Sequence, residues 1–353
     1  MRGNYTPSNM KKTGKQNIIP LVILMIATAA AGAILFKLQF DSRTKAEEKE
    51  PEKIYDGYYA YVSESDDEVF WQEVYEGALA EGEETDICIE DFASGLKSGY
   101  SAAERIRIAV WSGVDGIIAE GKSTAFKNAL KEAKDAGIPV VLLGTDDAET
   151  GRVSFVGASG YDLGLLYGKQ AAGLSKQILN RKDRVTLTIL SRQDDAGTTQ
   201  DLLINTIRDS LLRDEDFNNR ITINTVSVAA GGTFASQEAV TDILFEAEKE
   251  GSVPDIIIAL SGELTNSAYQ GILDLNLTGD CNIIGYYATD TIREAIENEN
   301  VYSTILIDAK EMGSLSVDAL SEYRESGYVS EYYPVDSSVL SKEDPYENGE
   351  EER

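Results

Sequence analysis

The chain has 353 residues, with 32 Lys and Arg against 61 Asp and Glu, a net charge of −29, no histidine and two cysteines. A hydrophobic share of 42% beside 26% charged residues is a globular composition, long enough for one large domain or two ordinary ones. The missing histidines exclude a His-based triad, a His-ligated zinc and a histidine pH switch, two thiols cannot build an all-cysteine zinc site, and the acidic balance argues against a nucleic-acid partner.

Residues 1–17 carry Arg2, Lys11, Lys12 and Lys15 and no acid, and residues 18–36 are uncharged and mostly apolar. At 1.5 Å per residue that run spans roughly 28 Å, one hydrocarbon core. It reads as a single transmembrane anchor, with the basic segment cytoplasmic and everything after Lys37 outside the cell. A cleaved signal peptide is the rival reading, because Ala31 and Ala33 frame an A-x-A; the apolar run continues past that point, which favours an uncleaved anchor. Residues 37–53 read as a tether and the acidic residues 341–353 as a disordered tail.

Between tether and tail, short apolar runs alternate with amphipathic stretches. The pattern predicts strands over 54–62, 85–91, 114–119, 138–143, 153–157, 184–190, 221–228, 255–260, 282–287 and 301–307. It predicts helices over 67–81, 99–112, 123–136, 161–180, 198–213, 236–250, 263–276, 289–298 and 310–326. Continuous runs such as Val140, Val141, Leu142 and Leu143 suit strands covered on both faces. Strands alternating with helices predict an α/β fold with doubly wound parallel sheets, and ten strands in two similar runs of five predict two lobes. In such sheets ligands bind at the carboxyl ends of the strands, so the loops after each strand carry the functional reading.

Residues 116–123, GIIAEGKS, match the phosphate-loop pattern G-x-x-x-x-G-K-[ST]. In a true phosphate loop the variable residues form the loop; here Ile117, Ile118 and Ala119 read as strand and Glu120-Gly121-Lys122 as an ordinary turn. A phosphate-loop nucleotide hydrolase stands as the competing enzyme class. Residues 63–68, SESDDE, precede a helix and suit its N-terminal dipole. Residues 214–218, DEDFN, begin like a calcium loop, but Asn219 and Thr225 stand where such a loop has Gly and Glu, so no metal is expected there. Cys88 and Cys281 fall in different runs and read as buried, unpaired small hydrophobes. Phe70-Trp71 sits at the start of the first helix, just after the first strand, and Tyr286-Tyr287 at the end of another strand, where aromatic faces can stack on the apolar face of a sugar.

The order of these pieces resembles the type I periplasmic, solute-binding protein family of the ribose- and galactose-binding kind, whose fold is shared by lac-repressor-type effector domains. Residues 69–78 (VFWQEVYEGA), 113–119 (GVDGIIA), 132–142 (EAKDAGIPVVL), 153–157 (VSFVG), 161–169 (YDLGLLYGK), 283–285 (IIG) and 311–313 (EMG) carry the resemblance, which covers about 54–340. It implies two α/β lobes joined by a three-strand hinge, with lobe 1 at 54–157 and 309–326, lobe 2 at 158–308 and a closing strand within 327–340. It also implies hinge closure on one ligand, with no catalysis and no cofactor.

The chain departs from the family where polar groups bind sugar hydroxyls. Residues 144–146 read Gly-Thr-Asp for the usual D-[ST]-D, and Ala158-Ser159-Gly160 replaces T-D-N. No arginine lies near Thr199 to Leu203, Ser261-Gly262 replaces N-D, Tyr286-Tyr287 replaces F-D, and Ile307 beside Asp308 stands where the family has Gln. The expected ligand contacts are therefore Phe70, Trp71, Thr145, Asp146, Ser159, Thr199, Ser261, Tyr287 and Asp308. One aromatic from each lobe sandwiches the ligand, and Asp146 accepts its hydroxyls. Trp111, at a helix end, is a bystander. The expected role is a membrane-tethered, extracytoplasmic binding protein for a sugar or sugar-like molecule, partnered by an ABC permease or a membrane sensor kinase. A ligand-free structural or interaction protein is a further alternative.

Overall fold

The computed structural model describes Lys37 and residues 53–64, 68–92, 99–121, 124–193, 198–213, 217, 219–229 and 232–343. The basic segment, the apolar run 18–36, most of the tether and residues 344–353 lie outside the described residues. Among the described residues no helix is long and apolar enough to cross a membrane. The unit considered below is Tyr55–Arg353, which is compact by itself.

The chain begins this unit with β1 (Gly57–Val62), α1 (Val69–Glu84), β2 (Ile87–Asp91), α2 (Ala102–Ser112), β3 (Gly116–Glu120), α3 (Thr124–Asp135), β4 (Val140–Leu143) and β5 (Ser154–Gly157). The second run is α4 (Gly160–Leu179), β6 (Val185–Arg192), α5 (Thr198–Leu212), β7 (Ile221–Val228), α6 (Gly232–Glu250), β8 (Ile256–Ala259), α7 (Gly262–Asp274), β9 (Asn282–Tyr286), α8 (Asp290–Glu297) and β10 (Ser303–Ile307). Helix α9 (Ala309–Ser326) and strands β11 (Tyr332–Pro334) and β12 (Ser337–Ser341) close the unit. The expected helix over 236–250 starts earlier, at Gly232, and the others agree within a few residues.

Two six-stranded sheets result, ordered β11-β5-β4-β3-β1-β2 and β12-β10-β9-β8-β6-β7. The four residues of β4 and of β8 are wholly buried, which is why their sequences show no polar alternation. Every neighbouring pair is parallel except β12 against β10. This departs from the all-parallel expectation, and connectivity explains it. Strands β10 and β11 both run toward the face between the lobes; β12 starts there after a two-residue link and must run away from it.

The chain therefore passes between sheets three times, after Gly157, after Ile307 and between Pro334 and Ser337. The three passages are tied together: the Val335 N–H donates to the Gly157 carbonyl at 3.1 Å and the Asp308 N–H to the Asp336 carbonyl at 3.4 Å. In the first lobe α1 and α9 touch backbone to backbone. A Cβ on Gly77 would lie 2.1 Å from the Lys310 carbonyl oxygen, and one on Gly313 2.0 Å from that of Val74. Helix α2 opens on a capping box, with the Ser101 hydroxyl accepting from the Glu104 N–H and the Glu104 carboxylate accepting from that of Ser101.

The phosphate-loop reading fails on this framework. Its first five residues are β3, fully buried and paired with β1 and β4. The Glu120 carboxylate accepts from the Ser63 hydroxyl at 2.6 Å and from the Glu64 N–H at 2.9 Å. Lys122 and Ser123 lie outside the described residues, as does all of the calcium-loop lookalike except Phe217, which is buried in the core. Cys88 and Cys281 are unpaired, and burial pushes the Cys281 thiol up to about 12.

Candidate ligand-binding cleft

The carboxyl ends of both sheets face each other across a cavity of about 130 Å³. The first lobe supplies Glu68, Phe70 and Trp71 from the start of α1, Glu120 and Gly121 after β3, and Gly144 and Thr145 after β4. The second lobe supplies Leu163 of α4, Arg192 at the end of β6, and Thr199, Gln200 and Leu203 at the start of α5. Ser261 ahead of α7 and Tyr286 at the end of β9 complete it.

Packing fixes the aromatic wall. Trp71 is 9% exposed, and the Tyr61 hydroxyl donates to its carbonyl at 3.0 Å. Gly144 has φ +74°, and a Cβ there would lie 3.1 Å from the Trp71 ring, so both the backbone and the indole require glycine. Phe70 lies edge-on to Trp71, with centroids 5.1 Å apart, and edge-on to Tyr286 and Tyr287 of the other lobe at 5.7 and 5.1 Å.

Of the expected contacts, the structure brings Phe70, Trp71, Thr145, Thr199 and Ser261 together around the cavity. The Ser261 hydroxyl also caps α7 by accepting from the Leu264 N–H at 3.2 Å.

The other four are placed elsewhere. Asp146 does not line the cavity; both its oxygens are taken by the Arg152 guanidinium, Oδ2 at 2.7 Å from Nη2, and this pair secures the loop after β4. Ser159 caps α4, accepting from the Asp162 N–H at 3.3 Å. Asp308 caps α9, accepting from the Glu311 N–H at 2.8 Å, and lines a separate groove beside the passages between the lobes. Tyr287 lines that groove too. It has φ +60°, and its hydroxyl donates to Glu73; burial first, and this carboxylate second, push the phenol well above its ordinary range. Its neighbour Tyr286 takes the place in the cleft.

The sequence reading missed Glu68, Arg192 and Gln200. Arg192 Nη1 donates to Glu263 Oε2 at 2.8 Å and to Glu68 Oε1 at 3.0 Å. Glu68, expected to serve the helix dipole, makes no capping bond and joins this ion pair. Arg192 closes β6, a strand end of the kind that carries ligand contacts, whereas Thr199 to Leu203 lie in the helix that follows. Among the described residues no group of acids and cysteines is arranged to hold a metal. The cleft can stack an apolar ring face and hydrogen-bond hydroxyl groups.

A profile for the periplasmic binding protein domain matches residues 59–327. The fold is also that of GanP, a glucose-galactose binding protein from Geobacillus stearothermophilus (21% identity, 83% of this chain and 99% of that one, TM-score 0.68). It is shared by an ABC transporter solute binding protein from Agrobacterium vitis bound with α-D-tagatopyranose (13% identity, 82% and 95%, TM-score 0.70). A third similar structure is XylFII in the XylFII-LytSN complex (19% identity, 82% and 98%, TM-score 0.62). The search of curated proteins returned no match.

Proposed function

We infer the function from one premise: the chain belongs to the periplasmic binding protein domain family. We propose that it is an extracytoplasmic binding protein for a neutral sugar or sugar-like molecule. The observation that carries this reading is the pairing of walls across one cavity, with Phe70 and Trp71 on one side and Thr199, Ser261 and Tyr286 on the other. Aromatic faces suit the C–H face of a sugar ring, and the hydroxyls and amide suit its rim. The proposed contact set is these residues with Thr145, Gln200, Glu68 and Arg192.

The sequence supports the rest of the proposal. Residues 18–36 anchor the chain as a single membrane-spanning helix, 1–17 stay in the cytoplasm, and 37–53 tether the two lobes outside. The lobe boundaries are those read from the resemblance. Closure of the lobes then presents a shape to an ABC permease or to a membrane sensor kinase. The tagatose-bound relative supports the first partner and the XylFII-LytSN complex supports a protein docked on the binding protein.

A thermal-shift screen of the full chain in detergent tests the ligand class. Glucose, galactose, tagatose and arabinose at a hundredfold excess over Kd stabilise by about 2.7 kcal/mol where they bind. At least one should raise the melting temperature while ATP with magnesium does not. A shift with ATP and none with any neutral sugar would overturn the reading.

A further inference from the structure

The loop after β4 reaches the cavity with Gly144 and Thr145. Its position sets two groups of the first wall: the Thr145 hydroxyl, and the Trp71 ring, which leaves only 3.1 Å for a Cβ on Gly144. Backbone bonds carry the chain this far. The Gly144 N–H donates to the Val156 carbonyl at 3.2 Å and the Thr145 N–H to that of Leu143 at 2.8 Å. Beyond Thr145, two ionic ties hold the loop.

The two ties differ. Lys127 meets Asp147 at 2.9 Å and Glu149 at 2.8 Å near the surface, where such pairs add little. Arg152 is 9% exposed on its side chain and grips both oxygens of Asp146, through Nε and, at 2.7 Å, through Nη2. A planar fork on a carboxylate fixes orientation as well as distance, which a lysine cannot do. The remaining nitrogen, Nη1, donates to the Glu331 carbonyl at 3.1 Å, which also accepts from the Phe155 N–H at 3.0 Å. Glu331 directly precedes β11, and Val335 after β11 is tied to Gly157 at the third passage between the lobes. One guanidinium therefore joins the cleft loop to the strand that leads into that passage. Arg152 itself does not line the cavity.

We propose that Arg152 is a positioning residue of the cleft. By fixing Asp146 it seats Thr145 and the Trp71 ring in the first wall, and by holding Glu331 it ties that wall to the passage between the lobes. Arg152 acts through the loop and not on the ligand. Asp146, expected as a ligand contact, serves the cleft from behind. The effect on affinity rests on the cleft being the binding site; the seating of Trp71 is a property of the first lobe alone.

The test uses the full chain in detergent with Trp111→Phe, which leaves Trp71 as its one tryptophan. Trp71 emission and its quenching by acrylamide are read in variants whose melting curves show them folded. Arg152→Gln should shift the emission to longer wavelength and raise the quenching. Asp146→Asn, which keeps the guanidinium on Glu331, should do the same to a smaller extent and decides the matter if Arg152→Gln does not fold. The control is Arg107→Gln. It breaks another forked pair of the first lobe, with Glu132 at 3.0 and 3.1 Å, between helices whose buried residues belong to a separate core from Trp71. Arg107→Gln should leave Trp71 unchanged. Folded Arg152→Gln and Asp146→Asn with the parent's emission and quenching, or an equal change in Arg107→Gln, would overturn the proposal. With a sugar found by thermal shift, Arg152→Gln should also raise Kd about tenfold, the equivalent of one lost hydrogen bond. An unchanged Kd would equally overturn it. A chain that binds no sugar would instead overturn the functional reading, and the Trp71 result would still judge Arg152.

Discussion

The two walls of the cleft are built from equivalent parts, strand ends and the helix starts that follow them, yet they offer different chemistry. The wall of the first lobe joins Phe70 and Trp71, locked against Gly144 and against the tyrosines opposite, to the carboxylates of Glu68 and Glu120 and the hydroxyl of Thr145. The wall of the second presents hydroxyls, an amide and a guanidinium from Ser261, Thr199, Gln200 and Arg192. The second lobe also adds Leu163, Leu203, Leu260 and Tyr286, so the paired aromatics stand on the first lobe while each wall offers both apolar and polar contacts. A ligand touching both walls gains its full set of contacts when the lobes meet.

The largest effect should come from unseating the aromatic pair through its support. Gly77→Ala would drive a methyl group into the Lys310 carbonyl and separate α1 from α9. It should cost about 3 kcal/mol in chemical denaturation, the upper range for overpacking. Next, Trp71→Ala should weaken sugar binding by about 2 kcal/mol, roughly thirtyfold by calorimetry. On the opposite wall, Ser261→Ala should weaken binding by about 1 kcal/mol and also lower stability slightly, since the hydroxyl caps α7. If Ser261→Ala costs more affinity than Trp71→Ala, the aromatic pair is not the main anchor of the ligand.

The smallest effect sharpens the comparison from outside the cleft. In the first lobe burial, then the nearby Glu81 carboxylate, raise the Asp318 carboxyl above its ordinary range. A raised carboxyl favours the folded state at low pH, and that contribution is lost as pH rises through the folded value. Asp318→Asn should therefore stabilise the protein at pH 7, by less than about 1 kcal/mol because the pair is partly in solvent. The gain should vanish below the ordinary carboxylate range. Melting curves at pH 7 and pH 3 check the sign, and sugar affinity should not change.

The fold was legible because burial on both faces leaves a mark in the chain: Val140 to Leu143 can only be a covered strand, and Gly137 with Pro139 marks the helix end before it. The aromatic pair was legible for a related reason, since Phe70 and Trp71 are large, adjacent and placed at the start of the helix after a strand. The polar contacts were not. A strand end names a loop but not which of two adjacent side chains enters the cleft. The left-handed turn at Tyr287 sends that residue to Glu73 and leaves Tyr286 inside. Asp146 looked free because Arg152, six residues on, gives no pattern of its own. The Glu68–Arg192 pair joins residues 124 apart across two lobes, and no local periodicity encodes that register.

Tryptophan fluorescence during a sugar titration tests the shared cleft most directly. The chain has two tryptophans, Trp71 on the cavity and Trp111, 81% exposed and remote from it. With a sugar identified by thermal shift, Trp111→Phe should keep the full spectral change and the same Kd, while Trp71→Phe should lose the change. A sugar-dependent signal that survives in Trp71→Phe and disappears in Trp111→Phe would contradict the account, because the ligand would then sit away from the cleft between the lobes.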